Sequence, residues 1–276
     1  MKKLLFLFSI LFTISFVLAG CGGTDEDNNA NNEENNNAAQ TGTLFDEIKD
    51  KGVLTVGTEG TYAPYTFHNE EDQLTGYDVE VIREVAKRMD LKVEFMETQW
   101  DSMFAGLNSK RFDLIANQVG INEDRLANYD FSEPYTYSSA VLVVPKDNSD
   151  ITTFADLKGR KAAQSLTSNY GAIAQENGAE IVGVEGLAQS IQLIKQGRAE
   201  ATVNDKLAVL DYIKSQGDKD IKIAASSEDV SEMAFTFNKG NEDLVKAINE
   251  QLSAMRDDGT LAKISQEWFG EDVSTK

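Results

Sequence analysis

The chain has one cysteine, Cys21, and one histidine, His68, in 276 residues. A lone cysteine excludes an intrachain disulfide, so the core alone must hold the fold. A lone histidine with no thiolate beside it makes a metal centre unexpected, and no cofactor is expected either. His68 stands in Thr66-Phe67-His68-Asn69-Glu70, which reads as an exposed turn. Cations are scarce as well, with 26 Lys and Arg against 46 Asp and Glu and a formal charge of -20. So acidic a surface argues against nucleic acid and against anionic lipid headgroups, whose phosphates need Lys and Arg. A neutral or cationic small ligand, or a protein with a basic patch, stays open. No G-x-S-x-G elbow and no Ser/His/Asp set occurs, so no catalytic residue is assigned. Long apolar runs are missing too, apart from one at the N-terminus.

That run spans residues 4–18, follows Lys2 and Lys3, and is interrupted only by Ser9, Thr13 and Ser15. A short basic segment, an apolar stretch of this length and small residues after it describe an export signal, not a spanning helix. The run closes on Leu18-Ala19-Gly20-Cys21. This is similar to the lipobox of bacterial lipoproteins, which implies a signal peptide at 1–20 and diacylglycerol on Cys21. An uncleaved anchor, or an ordinary signal with a chance cysteine, is the alternative. Loss of Lys2 and Lys3 with the leader would take the charge from -20 to -22. Residues 22–40 hold seven asparagines and five acidic residues with no aromatic or branched apolar side chain. Such a segment cannot offset its ordering entropy, so 21–41 is expected to be a disordered tether. The protein is expected on the extracytoplasmic face of the cell membrane.

Residues 42–276 are long enough for one large domain or two ordinary ones. Val53-Leu54-Thr55-Val56-Gly57 reads as a strand. Val79, Ile82, Val85, Ala86 and Met89 then recur at helical spacing. Val93-Glu94-Phe95-Met96 and Asp113-Leu114-Ile115-Ala116 are further strands, with a helix from Trp100 between them. The alternation suggests parallel pairing with crossover helices. It restarts after an extended stretch near 135–144, with strands near 161–164, 180–184 and 201–204. Separate extended pieces follow at 221–224 and 233–237, then two helices. Two α/β units joined by extended crossings near 137–145 and 230–237 is the economical reading.

Several runs then carry a family resemblance. They are Gly57-Thr58-Glu59-Gly60-Thr61-Tyr62-Ala63-Pro64-Tyr65, Gly76-Tyr77-Asp78-Val79-Glu80-Val81, Asn122-Glu123-Asp124-Arg125, Phe154-Ala155-Asp156-Leu157-Lys158-Gly159 and Met255-Arg256-Asp257-Asp258-Gly259-Thr260. In order and spacing, across residues 44–270, the chain resembles the polar amino-acid-binding lipoproteins of ABC importers, extracellular solute-binding protein family 3. Trp100 to Asn108 and Ala162 to Tyr170 look most like the L-cystine-binding members of bacilli. The resemblance implies a two-lobed, type II periplasmic-binding-protein-like α/β fold. Its first lobe would be 44–137 with 230–276 and its second 138–229, joined by two hinge crossings. It also implies a monomer that delivers an amino acid, L-cystine first, to an ABC permease with its ATPase subunits. A basic amino acid or glutamine is the alternative ligand. A dehydratase-type enzyme on the same fold is the alternative class. A receptor's sensing domain is disfavoured, because no spanning helix or signalling segment follows Lys276.

A free amino acid joins a carboxylate and an ammonium on one carbon, so its site must offer opposite charges a few ångströms apart. Arg125 suits the carboxylate, because a guanidinium can make two parallel hydrogen bonds to its oxygens. It also lies just past a strand end, where α/β sheets present ligands. A surface arginine beside Glu123 and Asp124 is the plainer alternative. Asp205 suits the ammonium, and it also stands where a helix N-cap belongs. The resemblance assigns both residues to the ligand, on opposite lobes. Tyr62 and Trp100 can wall the cleft, or Trp100 can simply be core. Tyr65 and Phe67 read as wall or core. By resemblance Asn117, Gly120, Thr167 and Ser168 hold the ligand's main-chain atoms. Asn117 and Gly120 stand where basic-amino-acid binders carry serines, so their side-chain contacts do not transfer directly. Glu59 matches the acid that meets a cationic side-chain end, or the second ammonium of cystine. Gln118 and Gln164 are possible pocket amides. Asn117, Gln118, Ser168 and Asn169 are expected to offer donors to cystine's second carboxylate.

Overall fold

The computed structural model describes residues 42–276. The expected signal peptide, Cys21 and the expected tether at 21–41 lie outside these residues. The first two strands form as the sequence reads. Val53–Thr58 pairs in parallel with Lys92–Glu97 on one side and with Leu114–Gly120 on the other. The helix between the first pair, Tyr77–Arg88, buries Val79, Val81, Ile82, Val85 and Ala86 on the sheet. It starts at a position that only glycine fills. Gly76 has φ +128, and a Cβ there would lie 2.2 Å from the Tyr65 carbonyl oxygen. This close approach sets Tyr77 and Asp78 inward at the start of the helix, both fully buried.

The third strand runs further than the sequence suggests, to Gly120, and is buried along its whole length. Asn117 and Gln118 continue it because each polar side chain finds a partner inside the protein, Glu59 and Asp78 respectively. Gln118 itself bends out of regular strand geometry, with φ 50.

The remaining pairings correct the expectation of a parallel sheet with two late, separate strands. Ile221–Asn238 is one continuous strand of 18 residues. It lies antiparallel to Leu114–Gly120 and to Thr136–Pro145, with register shifts between Ser226 and Val230 that let its polar middle bow outward. Thr202–Asp205 closes the far edge, antiparallel to Thr136–Pro145. The main sheet is therefore mixed and seven-stranded, with short Tyr129–Phe131 attached to the long strand. A separate parallel pair joins Lys161–Gln164 and Glu180–Gly183. His68 is not in a simple turn either. Thr66–His68 is the middle of a small three-stranded antiparallel sheet, and His68 Nε2 meets Glu97 at 2.9 Å.

Helices Glu242–Asp257 and Thr260–Phe269 pack on each other and on helix Tyr77–Arg88. The former buries Leu244, Ile248, Leu252 and Met255. Burying each such side chain stabilises by roughly 1.5–3 kcal/mol, so this helix is held by its apolar stripe. Tyr65 settles into this core and is fully buried, its ring 5.8 Å from that of Phe269. A second apolar cluster gathers Leu142, Val144, Ile151, Leu157, Ala162 and Val203. A third, of Trp100, Met103, Leu107, Phe112, Ile115 and Val119, backs the region where the candidate residues meet.

Candidate ligand-binding site

A small cavity of about 40 Å³ is lined by residues drawn from 59–118 and from 165–204. Of the candidate residues, Glu59, Tyr62, Trp100, Asn117 and Ser168 line it, and so does Gln118. Arg125, Gly120, Thr167 and Asp205 do not. Arg125 and Thr167 line an adjoining opening that shares Ser168 and Asn169 with the cavity. Asp205 lies beneath the cavity wall, fully buried.

Arg125 sits in the short helix Glu123–Asn128, which Asn122 caps by accepting the Arg125 N–H at 2.8 Å. Its guanidinium donates to the Gly120 carbonyl at 2.9 Å and to the Thr167 carbonyl at 3.4 Å. Its other neighbours are ring faces, with Trp100 at 5.4 Å and Phe104 at 5.3 Å. The side chain is buried and forms no ion pair among the described residues. Desolvation lowers its pKa to about 10. A buried cation answered only by carbonyl dipoles and π-faces is electrostatically prepared for an anion.

Asp205 is the N-cap of helix Lys206–Ser215, and its Oδ1 accepts the Leu207 and Ala208 N–H groups at 2.8 and 3.1 Å. Oδ1 also accepts the Tyr65 hydroxyl at 2.6 Å, and Oδ2 accepts the Tyr170 hydroxyl at 3.1 Å. Among these contacts Oδ2 carries one donor and retains acceptor capacity. Burial raises the Asp205 pKa, and the hydroxyls of Ser138, Tyr65 and Tyr170 and the Ala208 N–H oppose the rise.

Glu59 is half-buried. Its N–H donates to Asn117 Oδ1 at 2.7 Å, and Asn117 Nδ2 donates back to Glu59 Oε2 at 2.5 Å. Desolvation raises the Glu59 pKa to about 7, the Asn117 hydrogen bond opposes this, and the negative charges of Asp101 and Glu185 add to it. Ser168 caps helix Asn169–Glu176 by accepting the Gly171 N–H at 2.9 Å. Tyr62 donates its hydroxyl to Asn204 Oδ1 at 2.8 Å.

Asp101 was not foreseen. It accepts the Thr167 hydroxyl at 2.8 Å and the Thr167 and Leu166 N–H groups at 3.0 and 3.3 Å. Nothing local in Trp100-Asp101-Ser102 announces a partner 66 residues away. Gln118 differs from its expected role. Its Nε2 donates to Asp78 Oδ1 at 2.6 Å and to Thr136 Oγ1 at 3.1 Å, so it has no N–H left for a ligand carboxylate. Its Oε1 is buried without a partner, and so is Trp100 Nε1. Gln164 is buried with Nε2 unpartnered but does not line the cavity.

The model for "Bacterial extracellular solute-binding proteins, family 3" matches residues 54–271. The chain belongs to this family. It is 56% identical to the L-cystine-binding protein TcyA of Bacillus subtilis, over 99% of this chain and all of that one. Among solved structures, the L-cystine solute receptor of Neisseria gonorrhoeae in its unliganded open conformation is 51% identical. It covers 86% of this chain and 100% of its own, at a TM-score of 0.57. A Streptococcus pneumoniae substrate-binding protein with bound histidine is only 27% identical yet reaches a TM-score of 0.79, over 85% of this chain and 99% of its own. The fold is thus the two-lobed α/β architecture of amino-acid-binding proteins, and the protein is an extracytoplasmic solute-binding component of an ABC importer.

Proposed function

We propose that this protein captures L-cystine in the cavity between two lobes and passes it to its permease. The observation that carries the reading is Arg125, a buried cation with no carboxylate partner among the described residues, beside a cavity that ends at Glu59. One α-carboxylate would meet the Arg125 guanidinium with the Thr167 and Ser168 loop and the Gly120 segment. The α-ammonium would turn toward Asp205 Oδ2. The second ammonium would face Glu59, held by Asn117, with Tyr62 and Trp100 as walls. Trp100 Nε1 supplies a donor of the sign a carboxylate needs. Relatives that are L-cystine-binding proteins support this choice of ligand. No catalytic role is assigned to any of these groups.

The lobes in this reading are 44–137 with 230–276, and 138–229. The adjacent strands Thr136–Pro145 and Ile221–Asn238 serve as the two crossings. Contacts of Tyr62 with Asn204, Tyr65 with Asp205 and Asp101 with Thr167 would then join the lobes, as in a closed form. The higher TM-score with the histidine-bound relative than with the open receptor supports closure.

Calorimetry with L-cystine, L-arginine, L-glutamine and S-methylcysteine tests the ligand. At pH 8.5 cystine is expected to bind at least tenfold tighter than arginine or glutamine. Glu59 titrates near 7, raised by burial, and a neighbouring ammonium favours its ionised form. Cystine affinity should therefore rise from pH 6 to 8, by at most about tenfold per unit for the one proton released, and level off above. S-methylcysteine has no second ammonium, so its affinity should rise less than that of cystine over the same range. Arginine or glutamine outcompeting cystine would move the protein to another ligand within the family.

The lipobox-like run at Leu18 to Cys21 leads us to place the protein on the membrane through an acylated Cys21. Each buried CH₂ of such a chain contributes about 0.8 kcal/mol. Cys21→Ala should release the protein into the medium or leave an unprocessed precursor, as seen by fractionation and immunoblot. Normal processing with normal membrane retention would disprove the anchor.

A further inference from the structure

Gln118 is held in a way that its own sequence does not explain. The residue occupies the left-handed region at φ 50, next to the cavity. Asp78, fully buried on helix Tyr77–Arg88, holds it from behind. Asp78 Oδ2 accepts the Gln118 backbone N–H at 2.7 Å and the Tyr135 hydroxyl at 3.0 Å. Asp78 Oδ1 accepts the side-chain Nε2 at 2.6 Å. Thr136 Oγ1 accepts from the same nitrogen at 3.1 Å. An ionised carboxylate only accepts, so the amide must present nitrogen to Asp78 and oxygen away from it. That oxygen is buried, and no group among the described residues donates to it. A buried amide oxygen without a donor is costly and uncommon, and here it belongs to a residue that lines the ligand cavity.

We infer that Gln118 Oε1 is a ligand-binding acceptor that takes an N–H of a bound ammonium, and that Asp78 is the positioning residue that fixes its orientation. The inference rests on the amino-acid-binding reading above and adds a second acceptor to the carboxylates. A dipole suits this place. An amide oxygen adds attraction for an ammonium without adding another buried negative charge near Glu59 and Asp205.

The test measures dissociation constants by calorimetry at pH 8.5 for whichever panel amino acid wild type binds tightest. This pH keeps Asp78 ionised, because burial raises its pKa to about 7. The variants are Gln118→Met, Gln118→Gly, Asp78→Asn and the double variant Gln118→Met with Asp78→Asn. Gln118→Met keeps the side-chain length and removes the acceptor. Gln118→Gly suits the left-handed backbone, so it reports even if the methionine variant misfolds. Asp78→Asn offers an N–H to the amide and should turn it over, presenting nitrogen to the cavity.

Each single variant is expected to weaken binding at least tenfold, and the double variant should bind no worse than Gln118→Met. Folded Gln118→Met or Gln118→Gly binding within twofold of wild type would overturn the assignment of Gln118. Losses that add in the double variant would overturn the positioning role of Asp78. A merely structural role would lower the melting temperature and leave affinity unchanged. If wild type binds no panel amino acid, the functional reading has failed instead, and the two failures are thereby distinguished.

Discussion

Arg125→Ala should nearly eliminate amino-acid binding, while leaving a folded protein. In the complex proposed here the ligand carboxylate is desolvated against the guanidinium. Truncating one member of such a pair costs about 2–5 kcal/mol, or roughly 30-fold to several thousandfold in affinity. Much of that cost is the carboxylate left buried and unpaired. The unliganded protein should suffer far less. Burial depresses the Arg125 pKa to about 10, so in the folded state its charge is held at some expense across the neutral range. By linkage that expense persists at every pH below the depressed value. Alanine removes this expense together with the bonds to the Gly120 and Thr167 carbonyls, and the opposing changes should leave the unliganded melt close to wild type. Saturating cystine should then no longer raise the melting temperature. Arg125→Lys separates charge from shape. Its single ammonium cannot hold a carboxylate in two parallel bonds, so it should remain impaired. Calorimetry decides the matter: purified, folded Arg125→Ala that binds within twofold of wild type would falsify the assignment.

Arg125 was legible because two local signals coincide there, a guanidinium and the end of a strand. Asp205 was legible for a similar reason. Its place after Ala201 to Asn204 and before a helical run marks an N-cap, and a fully buried cap is what the structure contains. The alternation of strands and helices was legible from hydrophobic period. What escaped has a common physical cause. The strand Ile221–Asn238 reads as two pieces because the polar run Ser226-Ser227-Glu228-Asp229 interrupts its apolar pattern. In the structure they lie where its register slips and the strand bows outward. The polarity of Gln118 could be read, but not its sense. Whether it donates or accepts depends on Asp78, 40 residues earlier, which consumes its nitrogen. Asp101 and Asn204 were invisible as partners of Thr167 and Tyr62 for the same reason. Pairs this far apart are set by the closure of the fold, and one sequence carries no record of which distant side chains meet.

Asp205 makes the sharpest case for a site built at the expense of stability, and its variants should separate the two roles. Asp205→Asn is nearly isosteric. Its side-chain oxygen can still accept from Leu207, Ala208 and the Tyr65 hydroxyl, and the Tyr170 hydroxyl can rotate to accept from its amide. Only the charge is lost. Burial raises the Asp205 pKa in the folded protein above its ordinary value. A carboxyl with a raised folded pKa favours folding below its unfolded pKa, and this contribution is lost as pH rises through the folded one. Wherever it is ionised, Asp205 therefore costs stability in the unliganded protein. Asp205→Asn should then melt no lower than wild type without ligand, and its melt should lose the pH dependence that this carboxyl contributes. Binding should move the other way. The ammonium loses its counter-charge in a desolvated place, which should cost about 2–5 kcal/mol. Asp205→Ala should be worse in both respects. It loses the helix cap, at about 1 kcal/mol, and strands the two tyrosine hydroxyls, each at roughly 1–3 kcal/mol. An asparagine variant that melts well below wild type, or that binds cystine as tightly, would mean that the carboxylate is structural and that the ligand's ammonium is held elsewhere.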